Sequence, residues 1–175
     1  MKVIGLAGWS GAGKTTLLTR LIPHFNALSL RVSVIKHAHH QFDVDVPGKD
    51  SWRHREAGAA EVLVSSQNRW ALMHELRGAP EPRLPELLGK LSPVDLVVVE
   101  GFKRDPHRKI EVFRSLNGKP LLFPDDPGIV GIATDTTVET GLPTVHLDDI
   151  PGVADLLLRS AMGIEEAVAR SARAR

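Results

Sequence analysis

The sequence predicts an α/β fold, in which a mostly parallel twisted sheet is flanked by helices and carries a small β extension. Two segments support this prediction. Residues 3–7 form a short apolar run that leads through a glycine-rich turn into apolar residues at helical spacing. Residues 95–99 are rich in valine and nearly unbroken, which is typical of a parallel strand buried on both faces. Strands and helices that alternate in this way favour one parallel sheet.

The turn after the first apolar run satisfies the phosphate-loop (Walker A) pattern G-x-x-x-x-G-K-[ST]. Its glycines let successive backbone N–H groups point inward and form an anion-binding nest. Lys14 supplies a positive charge for the β- and γ-phosphates, and Thr15 offers a hydroxyl to a bound Mg²⁺. Ser10 and Thr16 either contact phosphate or stabilise the start of the helix. The fold is thus a P-loop NTPase, and its predicted nucleotide-binding residues are Gly8, Trp9, Ser10, Gly11, Ala12, Gly13, Lys14, Thr15 and Thr16.

Length and composition narrow the function classes. The 175 residues fit one nucleotide-binding domain, predicted over residues 1–162, with a helical tail over residues 163–175 that frays. A formal net charge of +1 gives no electrostatic reason to expect nucleic acid as a partner. The absence of cysteine excludes disulfides and thiolate metal sites. We find no signal peptide and no membrane-spanning run, so we expect a cytoplasmic protein without a membrane partner.

The second strand is predicted over residues 31–36, after a helix that ends between residues 26 and 29. We expect this strand to lie beside the first, through a right-handed crossover. Residues 52–59 read as a short basic helix, and residues 61–65 and 69–74 as a hairpin that forms the small β extension. A further helix is predicted over residues 84–91.

A long loop over residues 36–51 is dense in histidine, carboxylate and lysine. One interpretation is a switch-like loop that meets the phosphates, the metal or a second ligand. Adjacent histidines in a loop are more often solvated or in contact with phosphate than bound to a metal. Asp50 either caps the following helix or lies on the metal side of the site. The other residues of this segment with a possible ligand role are His37, His39, His40, Lys49 and, in the next helix, Arg53.

Glu100 follows the valine-rich strand, where an acidic residue is the expected second half of a phosphate-loop site. It is the predicted catalytic residue, because it can hold Mg²⁺ through water or orient the attacking water; the alternative is a solvated strand-end charge. Gly101 permits a close approach of the backbone, and Lys103 can face the same ligand. Lys109 is expected on the surface.

The remaining strands are predicted over residues 110–114, 121–123, 129–133 and 144–147. Asp135 follows one of them, and its carboxylate can accept hydrogen bonds from the N1–H and N2–H₂ of guanine. There is no N-K-x-D element, so guanine specificity does not follow from a motif. Asp148 and Asp149 are predicted to cap a last helix that ends at Gly163.

Several strings of the chain carry a resemblance to one known family. They are the phosphate loop, the Lys-His and His-His pairs at 36–37 and 39–40, and the strings 47–51, 57–59, 66–73 and 99–103. Together they resemble MobB, the molybdopterin-guanine dinucleotide biosynthesis adapter family, over nearly the whole chain to about residue 158. Gln41 departs from the acidic residue expected in many members, and the chain after residue 162 looks like an addition.

This resemblance implies a cytoplasmic, GTP-binding homodimer with slow GTPase activity at most. The implied partners are GTP, the molybdopterin guanylyltransferase and the molybdopterin cofactor, with Mg²⁺ as the cofactor of the nucleotide. Thr15, Glu100 and Asp50 are then the metal-side residues. The implied pterin or phosphate contacts are His37, His39, His40, Lys49, Arg53 and Lys103.

Three other hypotheses remain open from the residues. A small-molecule kinase would use the same loop, with Glu100 or Asp50 as the base. A metal-delivery GTPase would use His37, His39 and His40 as Zn or Ni ligands. An interaction protein with a vestigial loop would not need Lys14.

Overall fold

The structure is a computed structural model that describes residues 1–38 and 42–173. The chain divides into two compact units. The larger unit comprises Met1–His37 and Leu84–Arg175, and the smaller unit comprises Ala38–Arg83. Across the described residues, no helix is both long and apolar enough to cross a membrane.

Strands and helices alternate along the larger unit. In chain order they are β1 (Lys2–Ala7), α1 (Lys14–Ala27), β2 (Val32–Lys36), then α3 (Leu84–Leu88), β5 (Leu96–Glu100), β6 (Lys109–Phe113), β7 (Ile129–Thr134), β8 (Thr144–His146), α4 (Ile150–Ser160), β9 (Met162–Gly163) and α5 (Ile164–Arg173). The smaller unit contains α2 (Asp50–Glu56) and the antiparallel hairpin of β3 (Glu61–Ser65) and β4 (Trp70–His74). The predicted fold class, a mostly parallel sheet flanked by helices with a small β extension, is confirmed.

The main sheet has the order β2-β5-β1-β6-β7-β8, with these strands parallel. The expectation that β2 lies beside β1 is wrong, because β5 lies between them. β5 is buried along its whole length, whereas β2 is largely accessible. The most apolar strand therefore takes the inner position, and the more polar strand takes the edge, where one side meets water.

Alternation along the strands builds two cores on opposite faces of the sheet. Leu96 and Val98 pack with α1 and α4, whereas Val97 and Val99 pack with α3 and α5. In β1, Ile4 and Leu6 face the first core and Val3 faces the second. Gly5 shares the face of Val3, and the connection over residues 101–108 crosses β1 at this glycine on its way from β5 to β6.

The predicted strand over residues 121–123 is wrong, because this segment is a turn. Its backbone donates to a buried carboxylate and not to a neighbouring strand: the N–H of Leu122 lies 2.7 Å from Glu111 Oε1, and that of Phe123 lies 2.9 Å from Oε2. Burial raises the pKa of Glu111, although these two hydrogen bonds act in the opposite direction. A side chain within β6 therefore replaces a strand as the hydrogen-bond partner of this turn.

Glu111→Gln is expected to lower the free energy of unfolding by about 1–3 kcal/mol. The amide of glutamine keeps one acceptor oxygen and presents an NH₂ group to the second backbone N–H, which is left unpaired. Urea denaturation of both proteins measures the difference, with the exposed substitution Glu139→Gln as the matched control. A variant as stable as the wild type contradicts this role of Glu111.

The pH dependence of stability gives a second readout for the same residue. Because the pKa of Glu111 is raised above 4.5 in the folded state, stability linked to this group is fully present below pH 4.5. It is lost as the pH rises through the raised folded value, since the unfolded chain releases the proton more readily. Glu111→Gln is expected to remove this part of the slope.

The C-terminal part of the larger unit differs from the expectation that α4 runs to Gly163. The helix ends at Ser160, and Met162–Gly163 forms β9, which pairs antiparallel with Lys2 and Val3 of β1. α5 follows, with Ala167 buried and the Ser171 hydroxyl donating to both carboxylate oxygens of Asp105 at 2.9 Å. The segment predicted as a tail therefore contacts the sheet, the second core and Asp105 as far as Ser171.

Lys109 does not lie on the surface, as its sequence context suggested, but is buried at the start of β6. Its ammonium donates to the carbonyls of Lys103 and Asp105 at 3.1 and 2.7 Å and lies 2.9 Å from Asp126 Oδ2. Three acceptors match the three ammonium protons, which compensates for the burial of the charge. Lys109 thereby ties the connection before β6 to the turn before β7.

Candidate nucleotide site

The phosphate loop joins the end of β1 to the start of α1. Gly8 and Gly13 have φ angles of 143° and 90°, which side-chain-bearing residues rarely adopt. A Cβ on Gly8 would also lie 2.5 Å from the Val112 carbonyl oxygen, so the loop passes close to β6. Gly13 is the N-cap of α1, and its carbonyl accepts from the N–H of Leu17 at 2.8 Å. The backbone therefore presents the positive end of a helix at the loop, as phosphate binding requires.

Lys14 folds back over the loop that precedes it. Its Nζ donates to the carbonyl oxygens of Gly8 and Trp9, at 2.9 and 3.0 Å. Partial burial lowers the pKa of Lys14, against an opposing effect of the Glu100 carboxylate. The ammonium is thus held at the loop by two neutral acceptors, which a phosphate can replace.

Thr15 and Glu100 come together at the edge where β1 and β5 end. Leu6 pairs with Glu100 across the two strands, and the Thr15 hydroxyl donates to Glu100 Oε1 at 3.0 Å. Glu100 is 8% exposed, and the ammonium of Lys36 at the end of β2 lies 3.8 Å from the same oxygen. A hydroxyl and a carboxylate are the oxygen ligands that Mg²⁺ prefers, so this pair fits the metal.

The backbone after Glu100 is tightly packed against His37. The N–H of His37 donates to the Glu100 carbonyl at 2.8 Å, and a Cβ on Gly101 would lie 2.6 Å from His37 Cβ. Gly101 and Phe102 have φ angles of 101° and 50°. The imidazole of His37 lies against the Phe102 ring, with centroids 4.8 Å apart. These contacts therefore hold the C-terminal ends of β2 and β5 together next to Glu100.

Trp9 is the aromatic residue of the loop. Its Nε1–H donates to the Pro120 carbonyl at 2.7 Å, and the Lys103 ammonium lies 5.1 Å from the ring centroid. This is within cation–π distance. The Lys103 ammonium therefore lies beside the phosphate loop.

Asp135 follows β7, and its Oδ1 accepts from the N–H of Ser115 at 2.9 Å. This hydrogen bond is the main cause of the lowered pKa of Asp135, so the carboxylate remains ionised. The bond occupies one carboxylate oxygen in the structure. Recognition of a base by Asp135 stays a prediction.

Other predicted residues of the loop have plain structural surroundings. Ala12 is buried, and the Ser10 carbonyl accepts from Asn117 Nδ2 at 3.2 Å. Gly11 has a φ of 84°, and the Thr16 carbonyl accepts from the Thr19 hydroxyl at 2.9 Å.

Three of the predicted contacts in the smaller unit, Lys49, Asp50 and Arg53, are exposed. Lys49, and not Asp50, is the N-cap of α2, because Asp50 already has helical geometry as its first residue. The role of Asp50 as a cap is therefore wrong, and its role at the metal stays a prediction, as do those of Lys49 and Arg53. His39, His40 and Gln41 lie outside the described residues. Within the described residues, no group of three His, Asp or Glu side chains could hold a metal ion.

Arg55 in α2 is a residue whose structural role the sequence did not reveal. Its guanidinium binds both oxygens of Asp43, at 2.7 and 3.1 Å, and lies 3.4 Å from Asp45 Oδ2. Arg55 Nε also lies 2.9 Å from Glu75 Oε1, at ion-pair distance without hydrogen-bond geometry. The hydrogen bond from Arg55 lowers the pKa of Asp43 to about 2. Arg55 thus holds the smaller unit together, and no local pattern indicates this.

Arg114 is a second residue that sequence reasoning missed. It follows β6 directly, as Asp135 follows β7, and Glu100 is the last residue of β5. Its guanidinium lies against the backbone of Gly13. The meeting of parallel strand ends at one edge of a sheet is the signal that could have identified it.

Comparison with known proteins agrees with this geometry. The family described as "Molybdopterin guanine dinucleotide synthesis protein B" (MobB) matches residues 3–135. A relative from Escherichia coli, named molybdopterin-guanine dinucleotide biosynthesis adapter protein, is 42% identical over 159 residues, with 89% of this chain and 91% of the relative covered. A Haemophilus influenzae protein of the same name is also 42% identical over 159 residues, covering 89% and 86%.

Solved structures give the same result. The crystal structure of Bacillus subtilis MobB superposes with a TM-score of 0.72 at 27% identity, covering 93% of this chain and 99% of that one. A crystal structure of molybdopterin-guanine biosynthesis protein B gives 0.69 at 25% identity, covering 90% and 98%. The family match spans most of the chain, and the two relatives match it over nearly their full length. The chain therefore belongs to the MobB family.

Proposed function

We propose that this protein is a GTP-binding adapter in the biosynthesis of molybdopterin guanine dinucleotide. It binds GTP with Mg²⁺ and assists the guanylyltransferase that joins a guanine nucleotide to molybdopterin. The observation that carries the proposal is the contact of Thr15 with Glu100 beside the phosphate loop, 3.0 Å between oxygens. The names of the relatives supply the pathway, because the geometry by itself speaks only for a nucleotide and a metal.

Each part of the site has a defined task in this proposal. The N–H groups of the loop and the N-terminus of α1 bind the phosphates, and Lys14 exchanges its two carbonyl partners for phosphate oxygens. Thr15 and Glu100 hold the Mg²⁺, which neutralises phosphate charge when bound. Asp135 accepts from the guanine edge in this proposal, since its carboxylate oxygens can each accept more than one hydrogen bond.

Hydrolysis is slow in this proposal. Glu100 Oε1 accepts from the Thr15 hydroxyl and lies 3.8 Å from the Lys36 ammonium, and these contacts suit a residue on the metal side of the site. We expect a turnover below the ordinary enzyme range of roughly 1–1000 per second.

The second half of the proposal is association with proteins. The chain forms a homodimer and binds the guanylyltransferase. The hairpin of the smaller unit supports it, because Leu63, Trp70 and Leu72 are exposed on its two strands. Apolar side chains that share an exposed sheet indicate a surface that binds another protein. The molybdopterin cofactor is the remaining ligand of the proposal.

Calorimetric titration of the purified protein with GTP and with ATP, each with Mg²⁺, tests the nucleotide half. We expect binding of one nucleotide per chain with a clear preference for GTP. Equal affinities, or a preference for ATP, would contradict the adapter proposal and favour a small-molecule kinase. Transfer of phosphate to an added alcohol would then be the next measurement.

A further inference from the structure

Residues 114–120, here called the β6 clamp, leave the C-terminal end of β6 and run beside the phosphate loop. They contact the loop at several points. Asn117 Nδ2 donates to the Ser10 carbonyl at 3.2 Å, and Asn117 Oδ1 lies 3.1 Å from the place that a Cβ on Gly11 would take. The Trp9 indole donates to the Pro120 carbonyl at 2.7 Å. The clamp therefore covers one flank of the loop.

The clamp has a fixed backbone. A single 3-10 turn, Ser115–Asn117, is closed by Gly118 at a φ of 61°. The N–H of Ser115 donates to Asp135 Oδ1 at 2.9 Å, which ties the clamp to the end of β7. Arg114, the first residue of the clamp, thus lies between the phosphate loop and Asp135, which is predicted to bind the guanine base.

The side chain of Arg114 points toward the loop. Its Nε lies 2.9 Å, and its Nη2 3.6 Å, from the position that a Cβ on Gly13 would occupy. Gly13 is the N-cap of α1, so the guanidinium stands at the helix end that receives phosphate. Among the described residues, no carboxylate lies within ion-pair distance of this guanidinium. The arginine ion pairs of the described residues are formed by other arginines.

The carboxylates of Asp135 and Asp148 are near enough to interact electrostatically with this guanidinium, but neither forms an ion pair with it. Its N–H donors therefore remain available to an anion at the loop. We propose that Arg114 binds the phosphate chain of a nucleoside diphosphate or triphosphate, together with Lys14. Planar N–H donors suit phosphate oxygens, and the charge adds to that of the lysine. This inference rests on the proposed function and adds to it a nucleotide-binding residue that lies outside the loop motif.

The experiment compares nucleotide affinity in the wild type, Arg114→Ala and the control Arg159→Ala. Arg159 is an exposed guanidinium on α4 that pairs only with Asp155 among the described residues. Each protein is titrated by calorimetry with guanosine, and with GDP and GTP in the presence of Mg²⁺. We expect Arg114→Ala to weaken GDP and GTP binding by about tenfold or more. Guanosine binding, and all affinities of the control, should equal those of the wild type.

Several outcomes would overturn the inference while leaving the proposed function in place. Unchanged GDP and GTP affinities would mean that Arg114 only braces the loop. Tighter binding would mean that the guanidinium occupies the phosphate position and must be displaced. A loss that includes guanosine would place its role at the base and not at the phosphates. If Arg114→Ala does not fold, Arg114→Gln carries the same expectation, since glutamine keeps the bulk and removes the charge.

Failure of the proposed function gives a different result. In that case the wild type itself binds neither GDP nor GTP, and the Arg114 and Arg159 variants do not differ from it. A salt titration separates the two further. If the inference holds, the difference between the wild type and Arg114→Ala shrinks as ionic strength rises, because the lost contact is electrostatic.

Discussion

Lys14→Ala is expected to weaken GTP binding by about an order of magnitude or more. The substitution removes the ammonium that now bonds the Gly8 and Trp9 carbonyls and that would turn to the β- and γ-phosphates. The N–H groups of the loop remain, so binding is weakened by the loss of the charge and not by collapse of the nest. Calorimetric titration with GTP and Mg²⁺ measures the change.

A matched control separates this effect from a general change in charge. Lys90 is exposed, and Lys90→Ala removes the same charge away from the loop. It should leave GTP affinity as in the wild type. Unchanged affinity in Lys14→Ala would contradict the assignment of the nucleotide site and would favour an interaction protein with a vestigial loop.

Gly5→Ala is expected to destabilise the protein by about 1–3 kcal/mol or more. The added methyl group would meet the imidazole of His107 and would lie 2.6 Å from Lys109 Cγ. Both neighbours are buried. The connection that contains His107 is tied to Lys109 by the ammonium contacts with Lys103 and Asp105, and the same ammonium also pairs with Asp126. The neighbours therefore cannot move aside without breaking these bonds. Urea denaturation gives the free energy of unfolding.

Gly141→Ala is the control for this change, because a Cβ there meets open space and its φ lies outside the region that favours glycine. It should leave stability near that of the wild type. In a double-mutant cycle, Gly5→Ala should cost less when His107→Ala is also present, since the imidazole no longer opposes the methyl group. A Gly5→Ala protein as stable as the wild type would show that the connection over residues 101–108 can move away from β1 without loss of stability.

The parts of the fold that sequence predicted well are those set by local patterns. The phosphate loop, the buried strand before Glu100, the β3–β4 hairpin and the cap of α4 by Asp149 each depend on residues close in the chain. The order of the strands does not. β5 lies between β1 and β2 and is buried throughout. Which strand takes such a buried position is decided by competition among all strands of the sheet.

The same distinction applies to the candidate site. Thr15 and Glu100 follow from motifs, and their contact follows from the meeting of parallel strand ends. The clamp contact of Asn117 with Ser10 joins residues far apart in the chain, and a 3-10 turn aims the side chain. Likewise, a lysine among charged residues looks exposed, and only the three acceptors around Lys109 explain its burial.

The pairing of β9 with β1 joins the C-terminal part of the chain to its first strand. Gly163 lies opposite Lys2, and the N–H of Ile164 donates to the Met1 carbonyl at 3.2 Å. Contacts between residues so distant in sequence form slowly, because a large loop must close first. During synthesis, β1, which precedes the phosphate loop, therefore lacks its partner β9 until the chain beyond residue 163 has left the ribosome. A ligand that binds only the finished fold would accordingly stabilise the completed chain over its precursors.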